Sequence, residues 1–280
     1  GGKDRYAYSV AGNKETIRSY QLEFGIDQYN IKGDFIYNPN NKHQLNFGLS
    51  NIYYKLQPGS LQPKGPQSLV IPEKVAPEQA IETAFYLGDR ISLTDRLSIN
   101  AGIRYVLYNY LGPRQTYSYF KGLSRDLATI EDSAYYSAGN IIKTYQGPEY
   151  RLSLRYSLSD QASVKIGYNT LRQYIHLLSN TTAISPTDIW KLSDSHIKPQ
   201  SGDQLSLGFY QNFKSNTIET SVELYYKRIK NYLDYKSGAS IVLNQNIERD
   251  VINTRGRAYG AEFLIRKSTG KLNGWISYTY

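Results

Sequence analysis

The sequence predicts an all-β protein, an antiparallel transmembrane β-barrel with short periplasmic turns and long extracellular loops. Three observations carry this reading. Short joins at Asn38–Lys42, Ser92–Asp95, Ser159–Gln161, Lys214–Asn216 and Ser268–Gly270 alternate with long polar excursions at 57–78, 111–147, 177–201 and 232–255. An antiparallel membrane meander is wired in this way. The runs between them alternate apolar and polar residues with period two, as a strand with one apolar face requires. Most span 10 to 15 residues, whereas soluble strands run about 5–6 and a tilted membrane strand needs about 9–11.

Ten strands are expected: 28–37, 43–56, 79–91, 96–110, 148–158, 162–176, 202–213, 217–231, 256–267 and 271–280, with 5–24 adding one or two. The runs 43–50 and 79–91 alternate. In 96–108, Leu97, Ile99, Ala101, Ile103, Tyr105 and Leu107 oppose Arg96, Ser98, Asn100, Gly102 and Arg104. In 150–158, Tyr150, Leu152, Leu154, Tyr156 and Leu158 oppose Arg151, Ser153, Arg155 and Ser157. Val164, Ile166 and Tyr168 oppose Ser163, Lys165 and Gly167; 202–213 behaves alike. Ile218, Val222, Leu224 and Tyr226 oppose Glu219, Ser221 and Glu223, and Tyr259, Ala261, Phe263 and Ile265 oppose Gly260, Glu262 and Arg266. A soluble sandwich would turn the same apolar face to a protein core. Tyrosines near the strand ends, such as Tyr105, Tyr150, Tyr168, Tyr226 and Tyr259, favour lipid, because the ring is apolar and the hydroxyl stays wet at the boundary.

Composition narrows the class. The 280 residues include 28 Tyr, no Cys and no Met, so no disulfide framework and no thiol chemistry is available. Mean hydropathy is −0.53 and no apolar run reaches the ~18 residues of a membrane helix. A barrel looks hydrophilic because half of each strand faces the lumen. The net charge is +9. The four long loops are nearly neutral, so the excess sits on strands and turns, on lumen-facing groups or on rim groups near anionic lipid head groups. A nucleic-acid binder is also basic and aromatic, but here charges and aromatics occupy opposite faces and build no stacking groove. The Gly-Gly-Lys start and the stop in mid-rhythm at Tyr280 suggest a piece of a longer precursor.

Three stretches share a pattern. AFYLGDRISLTDRLSINAGIRY (84–105) is an aromatic-Asp strand, a short turn and a strand closing in Gly-Ile-Arg-Tyr. HIKPQSGDQLSLGF (196–209) has a Lys-Pro start with Gln200 where Glu is commoner, and RAYGAEFLIRKSTGKLNGWISYTY (257–280) is a Gly-x-Glu strand with a Tyr-Thr-Tyr return. In order and spacing these resemble TonB-dependent outer-membrane receptors over most of 28–280. The resemblance implies the C-terminal part of a 22-stranded barrel, outer-membrane localisation in a Gram-negative bacterium, and TonB-coupled uptake of an iron chelate, vitamin or glycan. It implies an N-terminal plug domain and a TonB box, neither visible in 1–280, as partners with the remaining strands, membrane lipid and a surface lipoprotein.

Candidate sites follow from position. Arg104, Arg151, Arg155, Lys165, Glu219 and Glu223 form a polar set suited to a substrate path, or to pairing with a plug or with one another. The loop aromatics Tyr117, Tyr119, Phe120, Tyr135, Tyr136 and Trp190 suit stacking on a ligand, or packing of the loops on themselves. His43, His176 and His196 lack ligand-like spacing, and Glu131/Asp132 read as solvated. No metal, cofactor or catalytic residue is expected. A small ten-stranded outer-membrane protease or lipase needs a His–acid or Ser–His set at the loop end; His176 with Asp188 or Asp194 lacks an evident third partner. A passive porin is the other alternative.

Overall fold

The computed structural model describes residues 2–12, 16–179, 188–214 and 216–280. In chain order its strands are β1 (Gly2–Gly12), β2 (Tyr20–Asn40), β3 (His43–Pro63), β4 (Glu73–Lys74), β5 (Glu78–Ser92) and β6 (Leu97–Leu111). Next come β7 (Arg114–Tyr119), β8 (Ile130–Tyr136), β9 (Ile141–Ser157), β10 (Ala162–Gln173), β11 (Ile175–Leu178) and β12 (Ile189–Leu192). The last four are β13 (Gln200–Phe213), β14 (Ile218–Tyr235), β15 (Val251–Lys267) and β16 (Gly274–Thr279). One 12-stranded antiparallel sheet runs in the order β1-β2-β3-β5-β6-β9-β10-β13-β14-β15-β16, with β4 on β3; β7–β8 and β11–β12 are separate hairpins. Among the described residues β16 pairs with β15 alone and not with β2, so no ten-stranded cylinder closes.

Register explains why the alternation matters. Leu97, Tyr156, Val164, Phe209, Val222, Phe263 and Tyr278 stand side by side across seven strands. The next row is Ile99, Leu154, Ile166, Leu207, Leu224 and Ala261. The next is Ala101, Leu152, Tyr168, Leu205, Tyr226 and Tyr259. One step further toward the loop end, on the same face, Phe35, Phe47, Leu87, Ile103 and Tyr150 form another row. Ile103, Leu152, Leu154, Phe263 and Ile265 are exposed, and Leu97 and Val164 are half-buried. These side chains point away from any protein core, which is the arrangement for lipid and not for a sandwich.

Several element bounds differ from expectation. The region 5–24 contributes one strand, β1, while 20–24 opens β2. Strands overrun the expected loops 57–78, 111–147 and 232–255, because a ladder that satisfies its own backbone has no reason to end where lipid ends. Residues 141–147 therefore belong to β9, and the excursion 111–147 holds the β7–β8 hairpin. The run 162–176 breaks at Tyr174, whose carbonyl accepts from the Ser193 amide at 2.8 Å and whose ring stacks on Tyr108 at 4.5 Å. The chain then leaves the sheet for the β11–β12 hairpin. Residues 180–187 of the expected loop 177–201, and Ser215 of the expected turn, lie outside the described residues.

The inner face changes character along the strands. Past Arg104, the same parity of β6 carries Val106, Tyr108 and Tyr110, all fully buried. With Tyr54, Leu56, Ala80, Ala84, Tyr174 and Leu192 they form one apolar cluster; Leu22, Phe24, Leu178, Ile189, Ile197, Leu233, Ile247 and Val251 form a second. The loop end is thus a packed protein core inside the sheet, and the turn end stays polar.

A lipid-facing charge tests the assignment of faces. Leu207→Arg should cost the intact protein about 2–4 kcal/mol in bilayers, and Gln204→Arg, on the inner face of the same strand, clearly less. Denaturant unfolding in vesicles reads the difference, and equal costs would contradict the assignment.

Candidate functional site

The inner face between the apolar loop end and the short turns is a polar trough of about 690 Å³, lined among others by Lys32, Tyr86, Arg104, Glu149, Arg151 and Lys165. Lys165 also lines an adjoining cavity of about 740 Å³ with Arg155, Tyr210, Glu219 and Glu223. All six expected path residues therefore share one surface. Their engagement differs. Arg104 is a structural bridge: its guanidinium donates to Glu82 Oε1 at 2.8 Å and Glu149 Oε2 at 2.9 Å. The Tyr54 hydroxyl also donates to Glu82, at 3.0 Å, and the Arg172 amide to Glu149, at 2.7 Å. Arg155 donates to Ser163 Oγ at 3.3 Å, Glu219 lies 3.7 Å from Arg266, and Glu223 holds the Tyr210 hydroxyl. Arg151 and Lys165 are exposed in the trough. A further triplet, Lys32, Asp34 and Tyr86, stands on the same wall, with the Tyr86 hydroxyl donating to Asp34 and Lys32 at 2.9 Å from it.

Above the trough a buried ion knot fixes the loops. Lys191, 2% exposed, donates to Glu78 Oε1 at 2.7 Å and Asp194 Oδ2 at 2.6 Å. Glu78 Oε2 accepts the Leu192 amide at 3.0 Å, and Asp194 Oδ1 accepts the His196 and Ile197 amides, both at 2.8 Å. Burial alone would lower the Lys191 pKa, but the Asp194 and Glu78 carboxylates raise it above the ordinary lysine value. Burial would raise Asp194, but Lys191 and the two amides hold it below the usual carboxylate range. Tyr108 and Tyr145 donate to the carbonyls of Ser193 and Asp194 at 2.8 and 2.6 Å. Charges so placed are tolerated because each carboxylate oxygen has a partner, and the Lys191 ammonium has two acceptors and the Tyr110 ring 5.4 Å away.

The expected ligand aromatics fall into two groups. Tyr117 and Tyr119 are half-buried in a clamp between loops. The Arg249 guanidinium lies over both rings, at 5.3 and 5.8 Å, and donates to the Tyr119 hydroxyl at 2.9 Å. That hydroxyl donates to Glu248 at 3.0 Å. His196 Nε2 lies 2.7 Å from the Tyr117 carbonyl. Trp190 packs against the first apolar cluster, and Tyr136 is half-buried. Phe120 and Tyr135 are exposed on the β7–β8 hairpin. Elsewhere Gln245 ties two more loops, bonding the Lys74 carbonyl at 2.9 Å and the Ala76 amide at 3.2 Å.

The outward tyrosine rows, the charged lumen face and the interlocked loop end can be set beside known proteins. A family model described as TonB dependent receptor-like, beta-barrel matches residues 2–280. The chain belongs to the TonB-dependent receptor family. Its members are Gram-negative outer-membrane proteins, so the apolar rows lie in the outer membrane, the short turns face the periplasm and the long loops face the cell surface. The pyoverdine receptor FpvA of Pseudomonas aeruginosa PAO1 shares 15% identity at a TM-score of 0.55, over 94% of this chain and 36% of that one. HasR of Serratia marcescens, solved with its hemophore HasA and heme, shares 13% at 0.58, over 99% and 47%. The FrpB iron transporter of Neisseria meningitidis shares 12% at 0.58, over 99% and 41%. At such identities the likeness is one of fold, and the chain spans less than half the length of each. No match was found among curated protein sequences.

The family and these neighbours are receptors and transporters, not enzymes. The third partner that the sequence did not reveal for His176 is Ser193, with Nε2 at 2.9 Å from Oγ. This receptor does not use the pair catalytically: both side chains are buried, out of reach of a substrate, and the Asp194 carboxylate is committed to Lys191 and two amides. Glu78 and Lys191 were also missed, and Asp194 figured only as an acid partner of His176. A lysine flanked by Trp190 and Leu192 in a loop was the available signal.

Two outcomes follow for the receptor. Lys191→Met leaves Asp194 buried without its cation and Glu78 with Arg114 alone, at 3.5 Å, and should cost about 3–5 kcal/mol, read as faster proteolysis of the loops and a lower unfolding midpoint. The second concerns acid. Burial, then the neighbouring Lys191, push His176 down to about 4, with Asp194 opposing. Unfolded histidine titrates near 6.5, so the open state takes up a proton that the closed state refuses. Stability is full above about pH 6.5 and falls as pH drops towards 4, by up to about 3 kcal/mol. Hydrogen exchange of amides 174–179 and 188–197 should show this loss, and His176→Gln should flatten it.

Proposed function

We propose that this chain is the wall and surface-loop portion of a receptor that takes a scarce nutrient through the outer membrane by TonB-coupled transport. The carrying observation is the polar trough on the turn-end half of the inner face, lined by Arg151 and Lys165, beneath a loop end that presents Phe120 and Tyr135. Family membership supports the same reading. The plug domain and the TonB-contacting segment are supplied by other parts of the full protein, and the barrel domain occupies 1–280. Capture begins on the β7–β8 hairpin, since long surface loops on a rigid scaffold carry recognition. Arg104 and Glu219 serve mainly to hold the wall, and Arg151, Lys165, Arg155 and Glu223 meet the moving solute or the plug. The cargo is an iron chelate, a vitamin or a glycan, and the nearly neutral loops argue against a highly charged one. A surface lipoprotein partner is compatible with the exposed hairpin. A passive porin is disfavoured by the family and by a loop end filled with packed side chains.

In cells expressing the full-length receptor, collapse of the inner-membrane proton gradient should stop nutrient accumulation while surface binding persists. Phe120→Ala/Tyr135→Ala should weaken surface binding roughly tenfold through loss of two stacking rings. Arg151→Gln/Lys165→Gln should slow uptake with surface affinity unchanged. Accumulation that is indifferent to the gradient would refute active transport.

A further inference from the structure

The outward face ends its apolar rows abruptly. Above the row Leu205, Tyr226 and Tyr259, the next outward positions are Asp203, Arg228 and Arg257, then Ser201, Lys230 and Arg255. Arg228 stands directly opposite Arg257, and Lys230 directly opposite Arg255. Directly opposed side chains have Cβ atoms about 4.5–5.5 Å apart, and like charges so placed repel. Two such pairs follow one another on a single strand pair. One carboxylate is shared among the four cations, and it is taken: Asp203 Oδ2 accepts from Arg228 Nε and lies 2.8 Å from its second nitrogen as well. Lys230, Arg255 and Arg257 are exposed. By contrast the outward positions 205–213, 218–226 and 259–265 below carry no charge.

The patch has a defined address. It sits on the lipid side of the wall, one step beyond the boundary tyrosines Tyr226 and Tyr259, at the end that carries the long loops. That is the head-group level of the outer leaflet. The outer leaflet of a Gram-negative outer membrane is built from lipopolysaccharide, whose head group bears phosphates. Guanidinium groups bind phosphate with two parallel charge-assisted hydrogen bonds, and a phosphate between opposed cations removes their repulsion. We propose that Lys230, Arg255 and Arg257, beside the Arg228–Asp203 pair, bind the phosphorylated head group of an outer-leaflet lipopolysaccharide. The positive excess outside the long loops thereby includes Lys230 and Arg257 at a lipid contact and not lumen charge alone.

The test uses the full-length receptor in detergent, titrated with purified lipopolysaccharide, with the same lipid after enzymatic removal of its phosphates, and with inorganic phosphate. Lys230→Gln/Arg255→Gln/Arg257→Gln leaves Asp203 paired and should weaken lipopolysaccharide binding on the order of 100-fold, as three cations at the membrane surface are lost. Lys230→Arg/Arg255→Lys/Arg257→Lys keeps the charge and should retain binding, which separates lost charge from lost folding. Dephosphorylated lipid should bind the native receptor as weakly as intact lipid binds the glutamine variant. Equal binding by the native and glutamine receptors, or equal binding of both lipids, overturns the proposal. Displacement of the lipid by inorganic phosphate at comparable concentration would make this a soluble-anion site and overturns it too.

Discussion

Hydrocarbon offers no hydrogen bonds, so every backbone group that crosses it must find its partner within the sheet. That requirement makes register the governing quantity of this molecule. Once Leu154 faces Ile166 and Ile166 faces Leu207, every second residue on each strand is committed to lipid and every other one to the lumen. A slip of one residue would carry Arg155 and Lys165 into the bilayer and bring leucines into the lumen. The short turns hold this register at the periplasmic end. At the other end the loops are free of it and obey the rules of a soluble protein core.

The two regimes meet at Arg104. Below it the inner face is wet and charged. Above it Val106, Tyr108 and Tyr110 are dry, and the β11–β12 hairpin is laid over them. The Lys191 knot binds β5 to that hairpin, and Gln245, Arg249 and Tyr119 bind the remaining loops. The described part of the surface end is therefore held together by specific polar bonds above the trough.

What the sequence made legible was what period two encodes. Leu97, Ile103, Leu152 and Phe263 were assigned to the correct face, four of the five short turns were placed within a residue or two while the last runs on to Asn273, and the six charged candidates line the inner surface. Parity could not show where the inner face turns from polar to apolar, because Tyr108 and Tyr110 continue the parity of Arg104 and tyrosine suits both settings. It also hid the partners of Lys191, which lie 113 residues away at Glu78 and three away at Asp194. Trp190, between Ile189 and Lys191, is open in the sequence between ligand stacking and packing of the loops, and only the hairpin laid on the sheet turns it against the apolar cluster. Strand ends were missed where pairing outlasts the bilayer.

One inner row has a geometric consequence. Arg155, Lys165, Gly208, Glu223 and Glu262 stand opposite one another in turn. Neighbouring strands are about 4.8 Å apart, so about 14 Å separates the Lys165 strand from that of Glu262. Barrel strands tilt by about 35–45°, so a row perpendicular to them climbs as it goes round. The row is cationic at one end and anionic at the other. Its dipole therefore runs obliquely round the wall, partly along the circumference and partly along the axis, and a zwitterion in the lumen would be turned aslant, following a spiral ramp instead of a straight shaft.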